Sequence, residues 1–254
     1  MGATRISFEK GKGISFSKDL KDRVDAYFDD NNLSRHADVR MVIKTIVLLS
    51  TYFGAYALIL TGWFSLPQIL FFCFIMGVGM AGIGFSVSHD ALHGAYSSNK
   101  TVNKVLGLTF DLMGANSYIW KITHNIVHHT YTNIHEHDED LEVVEFIRLS
   151  PHAQHKPIHR VQHILAFLAY GMATLFWVFV KDYKKFASKR LGPYEDKHHP
   201  VSEWVSLILT KLLYYCYMLV IPWLLLPITW WQLLTGFLVL HLTAGEQTRL
   251  FNHA

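Results

Sequence analysis

Long apolar blocks constrain what this chain can fold into. Residues 42–62 carry a single charge, Lys44, near one end, and residues 68–88 carry none. Each block has about 21 residues, close to the ~20 that an α-helix needs to cross a bilayer. A short turn, residues 63–67, separates the blocks and contains aromatic residues and a proline. The pattern predicts two membrane-spanning helices joined at the membrane surface.

Three later stretches complete the predicted topology. Residues 205–245 form a longer apolar block with Lys211 as the only charge, and residues 222–231 within it contain prolines and tryptophans. This composition predicts two more spans joined by a turn. Residues 101–120 contain two charges, which are costly in mid-bilayer, and are predicted to be an interfacial segment. Residues 164–180 are about 17 apolar residues, only marginally long enough to span.

Basic residues indicate the orientation. The first forty residues are polar and lack the apolar core of a signal peptide, so they are expected to stay in the cytoplasm. Five basic residues follow residue 180: Lys181, Lys184, Lys185, Lys189 and Arg190. The positive-inside rule puts this loop in the cytoplasm too, so residues 164–180 are predicted not to cross.

We therefore expect an all-α integral membrane protein with about four transmembrane helices and a cytoplasmic helical cap. Its predicted parts are a cytoplasmic N-terminal segment (1–40), a membrane domain (41–245) and an atypical polar tail (246–254). Both ends of the chain and the histidine clusters described next are expected on the cytoplasmic side.

Two histidine clusters lie beside the predicted spans. The first is His89 and His93, and the second is His124, His128 and His129. On an α-helix the i, i+4 pairs lie on one face, roughly 6 Å apart, which suits two imidazoles that bind one ion. His129 is rotated by about 100° and could bind a second ion or complete the first coordination sphere. Five nitrogen donors without a nearby cysteine favour iron, copper or zinc.

The remaining patterns have ordinary explanations. One H-x-x-x-H pair alone would be weak evidence in a chain with 16 histidines. His135 and His137 lie among acidic residues and are predicted to form a polar turn. Cys73 and Cys216 lie inside predicted spans, so no disulfide framework is expected. The glycines between residues 77 and 84 are predicted to allow close helix packing. No phosphate-binding or dinucleotide motif is present, and nothing indicates a nucleic acid partner.

Residues 120–133, which contain the second cluster, resemble the membrane fatty acid desaturases. The likeness is greatest to bacterial acyl-CoA desaturases related to front-end and linoleoyl-CoA desaturases, and residues 138–141 extend it. That family carries H-x-x-x-H, then H-x-x-x-H-H or a version one residue shorter, then a Q-x-x-H-H cluster. The resemblance implies that the five histidines are ligands of a di-iron centre. It also leaves Asp90, Asn125 and Asp138 as candidates for hydrogen bonds to the ligand imidazoles.

The resemblance further implies a reaction and its partners. Dioxygen would be the co-substrate, two hydrogens would leave adjacent methylenes of a long acyl chain, and water would form. The substrate would be a long-chain acyl-CoA or acyl lipid. The chain lacks the His-Pro-Gly-Gly signature of a fused haem domain. The expected electron donor is therefore a separate ferredoxin or cytochrome b-type protein with its reductase.

The tail departs from the family pattern. After residue 245 the chain does not show the third cluster, and neither His241 nor His253 reproduces it. Because five imidazoles do not fill the coordination of two irons, this chain alone is expected to have little or no desaturase activity.

Alternative functions follow from the same residues. A related di-iron fatty acyl or lipid hydroxylase would use the same site and differ only in its product. A histidine-rich membrane metal-binding or transport protein is the alternative from another class, although transport sites lie near the bilayer midplane and these clusters lie at span ends. A soluble carboxylate di-iron protein needs two E-x-x-H pairs on helices. The chain offers one, residues 195–198, in a loop between prolines.

Overall fold

Helices account for the fold, as predicted. The structure is a computed structural model that describes residues 6, 16–138, 145–191 and 198–251, of which residues 248–251 are described without side chains. Within these ranges no β-strand forms. The helices are α1 (Phe16–Asp30), α2 (Val39–Leu60), α3 (Leu66–Leu92), α4 (Lys100–Leu112), α5 (residues 117–131), α6 (Pro157–Ala187), α7 (Val201–Leu225) and α8 (Trp230–Phe251). Four π-helical segments interrupt α3, α5, α6 and α7: Ile83–Ser88, Lys121–His128, Trp177–Lys181 and Cys216–Val220.

Local sequence explains where the first long helices begin. The Asp38 side chain accepts a hydrogen bond from the Met41 amide at 2.9 Å, which caps α2. At α3 the Gln68 side chain accepts from the Ser65 amide at 2.9 Å, and Pro67 occupies the first turn, where no intrahelical amide bond is lost. Such caps stabilise the helix ends that the apolar pattern alone does not define.

Among the described residues, four helices are long and apolar enough to cross a membrane: α2, α3, α6 and α7. The number agrees with the predicted four, but the set differs. Helix α6 is included because it extends over 31 residues, well beyond the apolar run of residues 164–180. Helix α8, the predicted fourth span, is not in the set. Polar residues such as His241 and Glu246 interrupt its apolar sequence.

Small residues on α3 allow the neighbouring helices to approach closely. A Cβ added at Gly77 would lie 2.5 Å from the Leu240 carbonyl oxygen of α8, and one at Gly82 would lie 2.5 Å from the Leu48 side chain of α2. The predicted packing role is confirmed at these positions. It is not seen at Gly84, where an added Cβ would meet nothing within 4 Å.

The contacts also fix the directions of the helices. Gly236 of α8 packs beside Cys73, and Leu240 packs beside Gly77, so α8 runs parallel to α3. The loop at Gly62 lies against Leu226, which places the α2–α3 turn and the α7–α8 turn together. We call this the distal end of the bundle. The opposite end, which carries His89 and His93, is the histidine end.

Helix α6 turns both of its ends toward the histidine end. Its Thr174 donates to the His241 carbonyl at 2.9 Å, and Gly171 packs against Gly245, so α6 runs antiparallel to α8 and its N-terminal part points to the histidine end. Its C-terminal part packs Phe186 against Trp204, near the start of α7. A bend at the π-helical segment accounts for this path. The length and composition of α6 would permit a crossing, so the absence of a span at residues 164–180 stays a prediction.

Residues 101–120 form a helical hairpin in place of the single interfacial segment predicted. Helix α4 packs back along α3, where the Ser88 and Thr109 hydroxyls are 2.7 Å apart. Gly114 then adopts φ +85° in the turn before α5, a conformation that favours glycine. The turn is not exposed, since a Cβ at Gly114 would lie 2.8 Å from the Val178 side chain. Helix α5 therefore returns to the end of α3.

Candidate metal centre

The two histidine clusters meet at the histidine end of the bundle. The His89 and His93 rings have centroids 4.4 Å apart at the end of α3. His124 lies 5.5 Å from His89 and 5.4 Å from His93, and His129 lies 5.0 Å from His93. One ligand nitrogen from each of His89, His93 and His124 lies within 4.8 Å of the others. Residues about 35 apart in sequence thus form one group of imidazoles.

The second cluster lies on a π-helical segment rather than on the α-helix expected from its spacing. The His124 and His128 rings stack, with centroids 5.1 Å apart and an interplanar angle of 16°. His129 follows at i+5 and is slightly closer to His124, at 4.9 Å. A π-helix places i+5 residues one turn apart. Both His128 and His129 therefore face His124, so the predicted 100° divergence of His129 does not separate it from the group.

Asp138 holds His128 through a buried contact. The two carboxylate oxygens lie 3.0 and 3.1 Å from His128 Nδ1, and Asp138 is 1% exposed. The Asn133 amide donates to the same carboxylate at 2.8 Å. A carboxylate at Nδ1 accepts the ring proton, so the lone pair of the ring lies on Nε2, the usual arrangement behind a metal-binding histidine.

The other two candidate partners differ from Asp138. Asp90 lies 3.2 Å from His89 Nδ1, and both side chains are more than a third exposed. Asn125, expected to bond to an imidazole, instead donates to the Leu92 carbonyl at 3.0 Å. Its Oδ1 is buried without a hydrogen-bond partner. Asn125 faces the end of α3, so its side-chain amide links the second cluster to the backbone beside the first.

The Trp120 side chain lines one side of the site. This residue was not among the predicted site residues. Its ring stacks on His124 with centroids 4.4 Å apart and meets the edges of His89 and His93 at 5.5 and 5.6 Å. The side chain is 8% exposed. Its position four residues before His124 could have indicated this role, because residues at i and i+4 lie on the same face of a helix. The indole covers one side of the three imidazoles, which are part exposed on their other sides.

The electrostatics favour an uncharged His93. Burial, the largest cause, and the neighbouring histidines His89, His124 and His129 together lower the pKa of His93 to about 4. His93 is therefore neutral at physiological pH. A neutral imidazole is the form that binds a metal ion, because its lone pair is free.

The donor set fits a first-row transition metal. Five imidazoles converge, one of them has a buried carboxylate behind it, and neither cysteine of the chain takes part. Imidazole donors suit iron, copper and zinc. Residues 139–141 of the predicted motif lie outside the described residues, as do residues 195–197 of the E-x-x-H pair.

His241 has a structural role. It is fully buried, with Nε2 2.6 Å from the Tyr214 hydroxyl and Nδ1 3.0 Å from the Thr174 hydroxyl. Both ring nitrogens thus have partners in the core, as expected of a histidine that joins packed helices.

Comparison with known proteins agrees with this geometry. The family model described as fatty acid desaturase matches residues 62–254. An sn-1 linoleoyl-lipid 6-desaturase from Arthrospira platensis is 36% identical over 82% of this chain and 55% of the relative. A protein of the same name from Synechocystis sp. is 35% identical over 96% of this chain and 67% of the relative. An acyl-lipid (8-3)-desaturase from Physcomitrium patens is 31% identical over 85% and 46%. No solved structure gives a significant match.

The chain thus spans about half to two thirds of the length of these relatives. The family match covers most of the chain and includes all five clustered histidines. The chain belongs to the fatty acid desaturase family.

Proposed function

We propose that this sequence belongs to an enzyme that desaturates long acyl groups in membrane lipids by means of iron bound to His89, His93, His124, His128 and His129, with little activity in this chain alone. The observation that carries the proposal is the convergence of both histidine clusters into one group of rings within the segment that matches the family. Two iron ions held there would supply the reduction of dioxygen, coupled to removal of two hydrogens from adjacent methylenes.

The side chains around the histidines have separable tasks. Asp138 fixes the His128 ring and its tautomer from a buried position. Trp120 covers three of the rings and excludes water from that side. Water exclusion matters because a dry cavity suits an apolar acyl chain and prevents side reactions.

An acyl lipid is the favoured substrate over acyl-CoA. The relatives compared above are named as linoleoyl-lipid or acyl-lipid desaturases. The histidine end closes a bundle of helices long and apolar enough to cross a membrane, so the site lies where lipid headgroups meet water. A lipid in the same leaflet reaches such a site without leaving the membrane.

The partners follow from the reaction and the charge pattern. Reduction of dioxygen needs electrons, which we assign to a separate ferredoxin or cytochrome b-type protein with its reductase. We place the site on the cytoplasmic side, because the basic residues between 181 and 190 lie at the C-terminal end of α6, at the histidine end.

Metal analysis tests the site. The chain would be expressed, solubilised in detergent and purified. Iron should co-purify with the parent chain and should be lost in the His93→Ala and His128→Ala variants. His163→Ala is the matched control, since this histidine is exposed and lies on α6. Unchanged iron content in both cluster variants would reject the assignment.

Product analysis tests the reaction. The chain would be expressed alone and extended with the part of the Arthrospira platensis relative that follows the matched region, and lipid fatty acids would be analysed by mass spectrometry. New double bonds in lipid-bound chains that disappear with His93→Ala support the proposal. Hydroxylated acyl chains would favour the hydroxylase alternative, and products confined to the acyl-CoA pool would reject the lipid substrate.

A further inference from the structure

Lys211 is the one charge in the apolar block of residues 205–245, and the structure buries it. It is 2% exposed, on α7, and its partner Asp182 on α6 is fully buried. The Lys211 Nζ lies 2.7 Å from Asp182 Oδ2. A buried ion pair within lipid-facing helices is costly to form, so its presence calls for a role beyond stability.

The ammonium group joins three separate parts of the chain. Besides Asp182, it donates to the Gly114 carbonyl at 2.6 Å and to the Val178 carbonyl at 3.1 Å, with the Trp177 carbonyl at 3.4 Å. The three N–H groups of a lysine are thus fully used. Two of these carbonyls belong to the π-helical segment of α6, where an inserted side chain is a known cause of an interrupted helix ladder.

Gly114 connects this group of contacts to the histidines. It lies in the turn from which α5 departs toward Trp120 and His124. The turn has little room to shift, because an added Cβ at Gly114 would lie 2.8 Å from Val178 and 3.0 Å from Tyr214. Lys211 thus holds the start of the segment that carries the second cluster.

A second line of contacts leads from Asp182 to His124. Its Oδ1 accepts from the Trp177 indole at 3.0 Å. The Trp177 ring lies 5.4 Å from Phe110, which lies 5.5 Å from Trp120, and Trp120 stacks on His124. The contacts of Lys211 and those of Asp182 therefore both lead to the helical hairpin of α4 and α5, which brings His124 to the first cluster.

We propose that Lys211 and Asp182 are positioning residues for the metal centre: their ion pair, bonded to Gly114 and Trp177, sets where His124 stands relative to His89 and His93. The inference rests on the proposed metal site. Neither residue touches the imidazoles, so the effect passes through the turn at Gly114 and the Trp120 ring.

The test removes the pair without leaving a buried charge. Loss of one partner strands the other, whereas apolar replacement of both is often tolerated. The variant is therefore Lys211→Met with Asp182→Leu, studied with Co²⁺ as a spectroscopic probe. We expect it to fold, to bind Co²⁺ about tenfold more weakly than the parent, and to show a changed visible spectrum. The tenfold figure is the low end for loss of a group behind a ligand.

Two further variants keep the proposal falsifiable. Gly114→Ala displaces the turn but keeps the ion pair, and it should weaken Co²⁺ binding in the same way. Thr174→Val removes a buried hydrogen bond between α6 and α8 without touching the turn. It should lower the unfolding temperature and leave the Co²⁺ spectrum unchanged.

The outcomes separate the two proposals. If the parent binds Co²⁺ and either the double variant or Gly114→Ala binds it within twofold and with the same spectrum, the positioning role is wrong and the metal site stands. Failure of the double variant to fold leaves Gly114→Ala to decide. If the parent binds no Co²⁺, the metal site is rejected, and the positioning role with it.

Discussion

Replacement of Asp138 by asparagine should weaken metal binding far more than the same change at Asp90. Asp138 is 1% exposed and presents both oxygens to His128 Nδ1, at 3.0 and 3.1 Å. An asparagine keeps the size but removes the charge and one acceptor. Loss of a carboxylate behind a ligand histidine costs about 10- to 100-fold in metal affinity. This range corresponds to roughly 1.4–2.7 kcal/mol.

Asp90→Asn is the matched control. The Asp90 carboxylate lies 3.2 Å from His89 Nδ1 with its side chain 38% exposed. Contacts of this exposed kind contribute about 0–1 kcal/mol, so the affinity should fall by less than about fivefold. The assay is titration with Co²⁺, followed by visible absorption, in competition with a chelator. Equal effects of the two substitutions, or a change below twofold for Asp138→Asn, would refute the assigned role of the buried carboxylate.

Three further predictions concern packing, topology and pH. Gly245→Ala should lower stability by at least about 1–3 kcal/mol, because its Cβ would lie 2.3 Å from the Tyr170 carbonyl oxygen, whereas Gly84→Ala meets nothing and should change the unfolding temperature little. A cysteine at Ser188, in a chain without Cys73 and Cys216, should resist labelling from outside intact cells while one at Ser65 is labelled; strong labelling at Ser188 would mean that α6 crosses. Because the folded pKa of His93 is about 4, below the usual 6.5, the metal-free chain should lose stability as pH falls from about 6.5 toward 4, and His93→Asn should flatten this decline in thermal unfolding.

Local sequence signals predicted the first half of the fold well. The apolar blocks at residues 42–62 and 68–88 correspond to α2 and α3, whose ends differ from those of the blocks by a few residues. At the start of α2 the Asp38 cap sets the first helical residue. Histidines at i, i+4 spacing also predicted that the two rings of each pair would share one helix face, and the ring centroids of the two pairs do lie 4.4 and 5.1 Å apart. Both signals depend on contacts within one helix or next to it, so they can be read from a short window of sequence.

The features that depend on distant partners could not be predicted in this way. Lys211 reads as an isolated charge until its partner Asp182, on another helix, is known. The helix around residues 164–180 was expected to be short, yet it extends to 31 residues because polar residues at both ends continue the helix. The helix type around His124 was also missed, since a π-helical segment has no simple sequence period.

That π-helical segment has a consequence for how the second cluster varies among relatives. Hydrogen bonds from i to i+5 place one more residue in each turn than an α-helix does. His124, His128 and His129, at i, i+4 and i+5, therefore occupy the places that i, i+3 and i+4 occupy on an α-helix. A relative with a cluster one residue shorter on an α-helix would therefore present its imidazoles in the same places.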